Sequence, residues 1–477
     1  MLLKRLSILA LCGIALSAAF SVRPASAAEK NVIMIIVDDQ GKDSCGYLGN
    51  PVIQTPSLDA LAGDSRTFDS AFCTTASCSA SRSVINTGLY NHATAHYGHE
   101  HGYNHFRSYD NVRSMSVMLE EAGYRTCRIG KYHLAPEPVY HFEETIPCNS
   151  RSTVEMAEKC EEFLKSDDER PFFLYFCTSD PHRGGGVVES DPLRPDRFGN
   201  RDEGYPGVEE VVYSPEDVIV PPFLPDTPAC RAELAQYYQS VSRIDQGVGR
   251  LMQYVKEADA YEDTMIIYIS DNGIAFPGAK TTVYDPGICL PCIVRDPYSE
   301  QNGTSCDAMI TWADLCPTIL DFADATPQGH QMHGRSFLAA LHEEECPDGY
   351  DKIYASHTFH EITMYYPMRV VQDRQYKLIW NIAYQLPYPF ASDLWAAATW
   401  QSAWQEGGRE AFYGKRQIGV FLQRDRFELY DMIADPHEVD NLADDPEHAE
   451  LLETMQADLK AFQRRTKDPW VLKWNYE

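Results

Sequence analysis

Asn31-Val32-Ile33-Met34-Ile35-Ile36-Val37-Asp38-Asp39 is the stretch from which the fold can be read. A continuous apolar run rich in β-branched residues is what a strand buried on both faces of a parallel sheet requires. It stops abruptly at two carboxylates. In open α/β sheets, ligands bind beyond the carboxyl ends of central strands. Adjacent like charges repel, and a bound cation is the natural remedy. The plain alternative is a solvated pair of loop aspartates.

Three further strands repeat the pattern. Tyr124–Ile129 is followed at once by Lys131 and His133, and Pro171–Phe176 delivers Asp180-Pro181-His182. Thr264–Ile269 ends in Asp271-Asn272-Gly273, with Lys280 on the adjoining loop. Helical patterns at Asn111–Gly123, Val154–Leu164 and Ala232–Val255 separate these strands, as an α/β sheet demands. Four strand ends bearing metal-type or proton-transfer residues argue for one shared site rather than four unrelated polar loops. Asp38, Asp39, Asp271 and Asn272 offer hard oxygen donors, which suit calcium, with magnesium as the alternative, rather than zinc.

Beyond a helix at Thr311–Phe322 the pattern changes to shorter runs at Asp351–Ser356, Met368–Asp373, Tyr376–Ile382 and Phe427–Tyr430. The middle two read as a hairpin, and a last helix spans Glu447–Gln463. The expected organisation is a signal peptide over 1–27, a catalytic domain over 28–360 and a C-terminal α+β subdomain with an antiparallel sheet over 361–477. Lys4 and Arg5, the apolar run Leu6–Phe20 and Ala25-Ser26-Ala27 make up that signal, cut after Ala27, so the expected location is secreted or periplasmic. No later stretch is long and apolar enough to span a membrane.

The formal net charge of −29 argues against nucleic acid or a long polyanion as partner. An anionic substrate must find a local basic pocket within a repelling field, which favours short or terminal units. Of 14 Cys, Cys12 leaves with the signal. With Cys78 set aside an even number remains, compatible with disulfides in an oxidising compartment. Cys289-x-x-Cys292 lies in an apolar, strand-like run and reads as buried thiols rather than half a zinc site. His92, His96, His99, His101 and His105 crowd one segment. Their spacing fits no familiar zinc pattern, and they read as a polar loop near the mouth of the site. The Gly- and Pro-rich stretch 183–225 reads as a long functional loop.

Cys78-Ser79-Ala80-Ser81-Arg82 opens a helical segment ending near Gly88. A helix N-terminus presents unpaired N–H groups to an anion, and positions four apart share a face. This Cys-x-Ala-x-Arg sequence resembles the signature of the type I, formylglycine-dependent sulfatase family, in which the Cys is oxidised after translation. Ala80 stands where Pro is the commoner choice. The resemblance covers almost all of the mature chain and extends to Glu428-Leu429-Tyr430-Asp431, Asp435-Pro436 and Asn441-Leu442. It implies an alkaline-phosphatase-like α/β fold, with a large central mixed sheet flanked by helices and the smaller α+β unit behind it. It also implies calcium, a formylglycine made from Cys78 by a generating enzyme, and hydrolysis of a sulfate ester or sulfamate. On this reading Cys78 joins Asp38, Asp39, Asp271 and Asn272 around the metal. Arg82, Lys131 and Lys280 balance charge on the sulfuryl oxygens, His182 is the general acid and His133 takes the proton that triggers sulfate expulsion.

Within that family, the sulfamidase (heparan N-sulfatase) branch is resembled by Asn272–Gly278, Arg243–Gly249, His360–Arg369 and Thr466–Val471. The branch implies removal of the N-linked sulfate from terminal N-sulfoglucosamine in heparan- or heparin-type glycans, with His360 and Glu361 at the sugar pocket. Their alternative is a domain-interface contact. Gly184-Gly185-Gly186 lacks the Cys that sulfamidases carry there, so no bridge is expected at that loop. Rival readings are an O-sulfatase on another sulfated sugar, a phosphoric or phosphonic monoester hydrolase, and a non-catalytic sulfated-glycan binder with unconverted Cys78. The expected partners are a sulfated saccharide and the maturation enzyme, with a homodimer admitted.

Overall fold

The computed structural model describes residues 30–184 and 194–476. The signal peptide, and Gly185 and Gly186 of the long loop, lie outside the described residues.

An eight-stranded mixed sheet forms the larger layer. Its strands are β1 (Asn31–Val37), β2 (Arg66–Phe68), β3 (Arg125–Gly130), β4 (Glu144–Ile146), β5 (Phe172–Cys177), β6 (Thr264–Ser270), β7 (Cys292–Arg295) and β8 (Ser305–Cys306). They run in the order β4-β3-β5-β1-β6-β7-β2-β8. The five strands from β4 to β6 are mutually parallel, and β7 joins β6 antiparallel. β1 is therefore central, as its sequence requires. Val32, Met34 and Ile36 enter one core while Ile33, Ile35 and Val37 enter the other. Burying each such side chain stabilises the fold by about 1.5–3 kcal/mol.

Two helices fix the site on this sheet. α1 (Cys78–Thr87) is buried along its whole length and ends at Gly88, which takes the left-handed conformation. α2 (Pro228–Glu257) starts at a Thr227 cap and runs 30 residues, with Leu234 and Val241 in the first core and Ile244 to Val255 in the second. The helix expected over 154–164 is two pieces, Thr153–Lys159 and Glu161–Leu164. That expected over 111–123 is only Met115–Glu121, capped by Ser114.

The second sheet is antiparallel, in the order β9 (Lys352–His357), β10 (Met368–Asp373), β11 (Tyr376–Asn381), β12 (Phe427–Asp431). Its first strand precedes residue 361, where the C-terminal subdomain was expected to begin. α3 (Ala449–Thr466) packs Met455 and Leu459 against Val371 and Leu378 of this sheet. Among the described residues no helix is long and apolar enough to cross a membrane.

The cysteine parity misled. Every described cysteine is a free thiol, and most are buried among apolar neighbours, where a thiol acts as a small hydrophobe. Cys292 opens β7 inside the core, and Cys289 approaches Lys42 at 3.8 Å rather than a second thiol.

Candidate active site

The four carboxyl strand ends meet over the N-terminus of α1. Asp38 and Asp39 follow β1, Lys131 and His133 follow β3, His182 follows β5, and Asp271 and Asn272 follow β6. Because β1, β3, β5 and β6 are parallel neighbours, their last residues share one edge by necessity. Ligand atoms of Asp38, Asp39, Cys78 and Asp271 all lie within 4.8 Å of one another, and all four residues are buried.

The groups are interlocked. Asp39 accepts hydrogen bonds from Asn272 Nδ2 (2.7 Å) and Lys280 Nζ (2.7 Å), with Cys78 Sγ 3.6 Å away. Lys131 pairs with Asp38. Arg82 donates from Nε to Asp271 at 2.9 Å and brings Nη2 to the same oxygen at 2.9 Å. Asp39 adopts a left-handed backbone (φ 71°), a cost of order 1–3 kcal/mol that sites of this kind store. Gly273 is obligatory in the next turn, since a Cβ there would lie 2.0 Å from the Pro286 carbonyl oxygen.

Burial and the neighbouring Asp38 push the Asp271 carboxyl up to about 7, against the pull of Arg82. Burial works against the Asp38 charge too, but Lys131, His182 and Arg82 hold its pKa well below the usual carboxylate range. Burial raises the Cys78 thiol, so an unmodified Cys78 is protonated and a poor nucleophile. Burial, then Lys280, lowers His182; burial, then Lys131, keeps His133 neutral.

The donor set fits a hard divalent cation. Asp38 Oδ1 and Asn272 Oδ1 are buried with no hydrogen-bond partner, and both belong to the residues expected to ligate. The residues expected to hold the ion and those expected to touch the sulfuryl group therefore converge as read from the sequence. Arg82, fully buried like Lys280, pairs with Asp271 and so braces that carboxylate.

His182 is held from behind. Asp180 bridges Arg151 (2.5 Å) and Arg243 (2.7 Å), and Arg151 also donates to the His182 carbonyl at 3.1 Å. His182 Nδ1 meets the Arg183 carbonyl at 2.9 Å, which fixes the proton there and leaves Nε2 turned inward, 3.7 Å from Asp39.

A cleft of about 590 Å³ opens above this floor, with Lys131, His133, His182, His360 and Glu361 among its walls. His360 is buried, its Nδ1 2.9 Å from Ser77 Oγ and its Nε2 2.9 Å from His99 Nε2. Glu361 accepts from the backbone N–H (2.9 Å) and hydroxyl (2.5 Å) of Ser392. Both residues thus reach the cleft and tie the second sheet's loops to it. The histidine-rich loop divides: His99 and His101 line the cleft, whereas His92 turns to the Thr466 carbonyl and His96 to Ser79. Asp393 was not foreseen. It lies on the cleft wall, 3.9 Å from Lys280, and no motif marks it.

Comparison with known proteins agrees with this geometry. Residues 30–325 match the family described as Sulfatase, and residues 278–388 match that described as N-sulphoglucosamine sulphohydrolase, C-terminal. The chain belongs to the sulfatase family. It is 38% identical to human N-sulphoglucosamine sulphohydrolase, over 93% of this chain and 91% of that one. It is 26% identical to an ulvan-active sulfatase of Formosa agariphila, over 95% and 82%. Among solved structures, a protein in complex with its substrate D-glucosamine-2-N,6-O-disulfate aligns with TM-score 0.67 at 20% identity, covering 92% of this sulfatase and 98% of that chain. The phosphonate monoester hydrolase of Agrobacterium radiobacter also aligns at 0.67, with 18% identity and coverage of 92% and 96%. At these identities the likeness establishes the alkaline-phosphatase-like fold and nothing finer.

Proposed function

We propose that this sulfatase hydrolyses the N-linked sulfate of terminal N-sulfoglucosamine in heparan- or heparin-type saccharides, using formylglycine made from Cys78 and a bound calcium. The observation that carries the reading is the charge arrangement around Cys78. Three carboxylates (Asp38, Asp39, Asp271) are matched by three cations (Arg82, Lys131, Lys280), each pair in contact. A divalent ion held by Asp38, Asp39, Asp271 and Asn272 would leave the floor positive by two, the complement of an anionic sulfuryl group. The branch assignment is supported by the second family match, whose span includes Lys280, His360 and Glu361, and by the name of the human relative.

When bound, the ion supplies Lewis-acid polarisation and the hydrated aldehyde supplies an attacking hydroxyl and a second hydroxyl to expel sulfate. The chain's own residues do the rest. Lys131 and Lys280 stand beside Asp38 and Asp39 and stabilise charge growing on sulfuryl oxygens, usually the largest catalytic contribution. Arg82 acts through Asp271, pulling its carboxyl back toward ionisation against burial. With one proton held on Nδ1 by the Arg183 carbonyl, His182 acts as the acid only after taking a second proton on its inward Nε2, and its lowered pKa favours passing that proton to the leaving nitrogen. Neutral His133, with a buried and unpartnered Nδ1, can accept a proton. Glu361 and His360 face the sugar. Cys78 and the rest of α1 are wholly buried, so the maturation enzyme must act before the fold closes.

An O-sulfatase would share this floor and differ only in the walls. Sulfate release from matured enzyme, assayed on N-sulfoglucosamine and on 6-O-sulfated glucosamine, decides between them. The expected result is turnover of the N-sulfate. Exclusive turnover of the 6-O-sulfate would overturn the substrate assignment. Phosphate release from monoesters without sulfate release would favour the phosphonate hydrolase reading.

A further inference from the structure

The mouth of the cleft holds a second cluster that the sulfatase chemistry leaves only partly used. His99 and His101 come from the loop after residues 91–94, and His133 comes from the segment after β3. One ring nitrogen from each lies within 4.8 Å of the other two. The ring centroids form a nearly equilateral triangle, with His99–His101 at 4.8 Å, His99–His133 at 4.9 Å and His101–His133 at 4.7 Å. Three imidazoles sharing one zinc ion at a Zn–N distance of about 2.0–2.1 Å would have their centroids roughly 5 Å apart. The rings are therefore already spaced as such an ion would hold them.

Two further observations point to a ligand. His99 Nδ1 is buried with no hydrogen-bond partner, in a side chain about nine-tenths buried, and it is the nitrogen of that ring left free to ligate. A buried polar atom without a partner costs about 1–3 kcal/mol, so the cluster carries a standing penalty that a ligand can relieve. His99 is also oriented from outside. Its Nε2 meets His360 Nε2 at 2.9 Å, and His360 Nδ1 meets Ser77 Oγ at 2.9 Å. An outer chain of this kind fixes the tautomer and direction of a metal-binding imidazole. The contact of His101 Nδ1 with His133 Nε2 at 2.7 Å is the one that an ion would replace, drawing two nitrogens that now share a proton onto a common centre.

We propose that His99, His101 and His133 form a binding site for a borderline divalent cation such as Zn2+, separate from the oxygen-lined floor, and that its occupation blocks the cleft. The separation follows from donor chemistry: imidazole selects zinc, whereas the carboxylates and amide of the floor select calcium or magnesium. Three protein ligands leave a fourth position open, toward the space that the substrate must cross. An ion on His133 Nε2 would also withdraw charge from the ring and so weaken Nδ1 as a proton acceptor. This second consequence rests on the function proposed above, whereas the binding itself does not.

The test uses the full-length, calcium-loaded enzyme. Zn2+ is titrated in by calorimetry, with Co2+ as a parallel probe whose visible absorption reports nitrogen ligation, and sulfate release is followed in the same samples. The expected result is one Zn2+ bound per chain, a Co2+ spectrum typical of imidazole ligation, and inhibition that follows occupancy. His101→Gln and His99→Gln should each weaken Zn2+ binding by about tenfold or more. Calcium affinity, read separately, should stay unchanged in both. Zn2+ binding that is undiminished in both variants, or that merely displaces calcium one for one, overturns the site. Binding that depends on His101 without inhibition keeps the site and removes the role given to His133, so the two ideas fail separately.

Discussion

Arg82→Met is the most informative single change to the floor. Arg82 lies four residues beyond Cys78 on α1, fully buried, with Nε and Nη2 both 2.9 Å from Asp271 Oδ2. Methionine fills most of the stem volume, so the change removes charge and hydrogen bonds with little cavity. Removing one partner of a buried ion pair costs about 3–5 kcal/mol, because the other charge is left uncompensated. Asp271 has company that makes matters worse: Asp38 and Asp39 are close enough to share ligand-atom distances within 4.8 Å. Its carboxyl already stands near 7 with Arg82 present, so in the variant it takes up a proton at neutral pH, which caps the cost toward the low end. Urea unfolding in excess chelator should show a loss of about 3 kcal/mol. Calcium should return part of it by supplying the missing positive charge. Arg82→Met/Asp271→Asn should cost less than the two single changes added, since neither buried charge is then orphaned. A loss below about 1 kcal/mol, or strict additivity in the double variant, would refute the view that these two charges hold each other in place.

Other consequences can be measured alongside. Cys78→Ala should abolish turnover while leaving the melting temperature within a few degrees of the parent, because the helix start keeps its Cβ; near-normal activity would contradict the assigned nucleophile. Gly273→Ala should cost calcium affinity as well as activity, since the 2.0 Å approach to Pro286 forces the Asp271-Asn272 turn to move. Chelation should lower the melting temperature of the parent and calcium should restore it more fully than magnesium, whose small octahedral shell suits these ligands poorly. His92, pushed down to about 4 chiefly by burial, contributes stability that is complete above about 6.5 and lost as the pH falls toward 4, because only the unfolded chain takes up its proton in that window. The stability-against-pH slope of His92→Gln should differ from the parent's by up to about 1.4 kcal/mol per pH unit between those limits, and identical slopes would contradict it.

The site was legible where the chain is regular. β1, β5 and β6 are apolar runs bounded by charged residues, and parallel neighbours must end at one edge, so Asp38, His182, Asp271 and Asn272 could be brought together from sequence. Cys78 was marked by its pentapeptide. Legibility failed where side chains meet through irregular backbone. Asp393 and Ser392 reach the cleft from a short helix at residues 392–395 that carries no periodic pattern. Nothing in the spacing of His99 and His101 shows that His133, 32 residues beyond His101, completes their triangle. Arg82 fits a sulfate contact by residue type, and nothing in the sequence marks its pairing with Asp271. Cysteine parity failed for a simpler reason, since an even count is also what scattered core thiols can produce.

The most direct measurement is mass spectrometry of the tryptic peptide spanning residues 67–82, taken from enzyme made in its own host and shown to release sulfate from N-sulfoglucosamine. An aldehyde, trapped with a hydrazide, is expected in place of the Cys78 thiol. An intact thiol on enzyme that turns over at full rate would contradict the whole account.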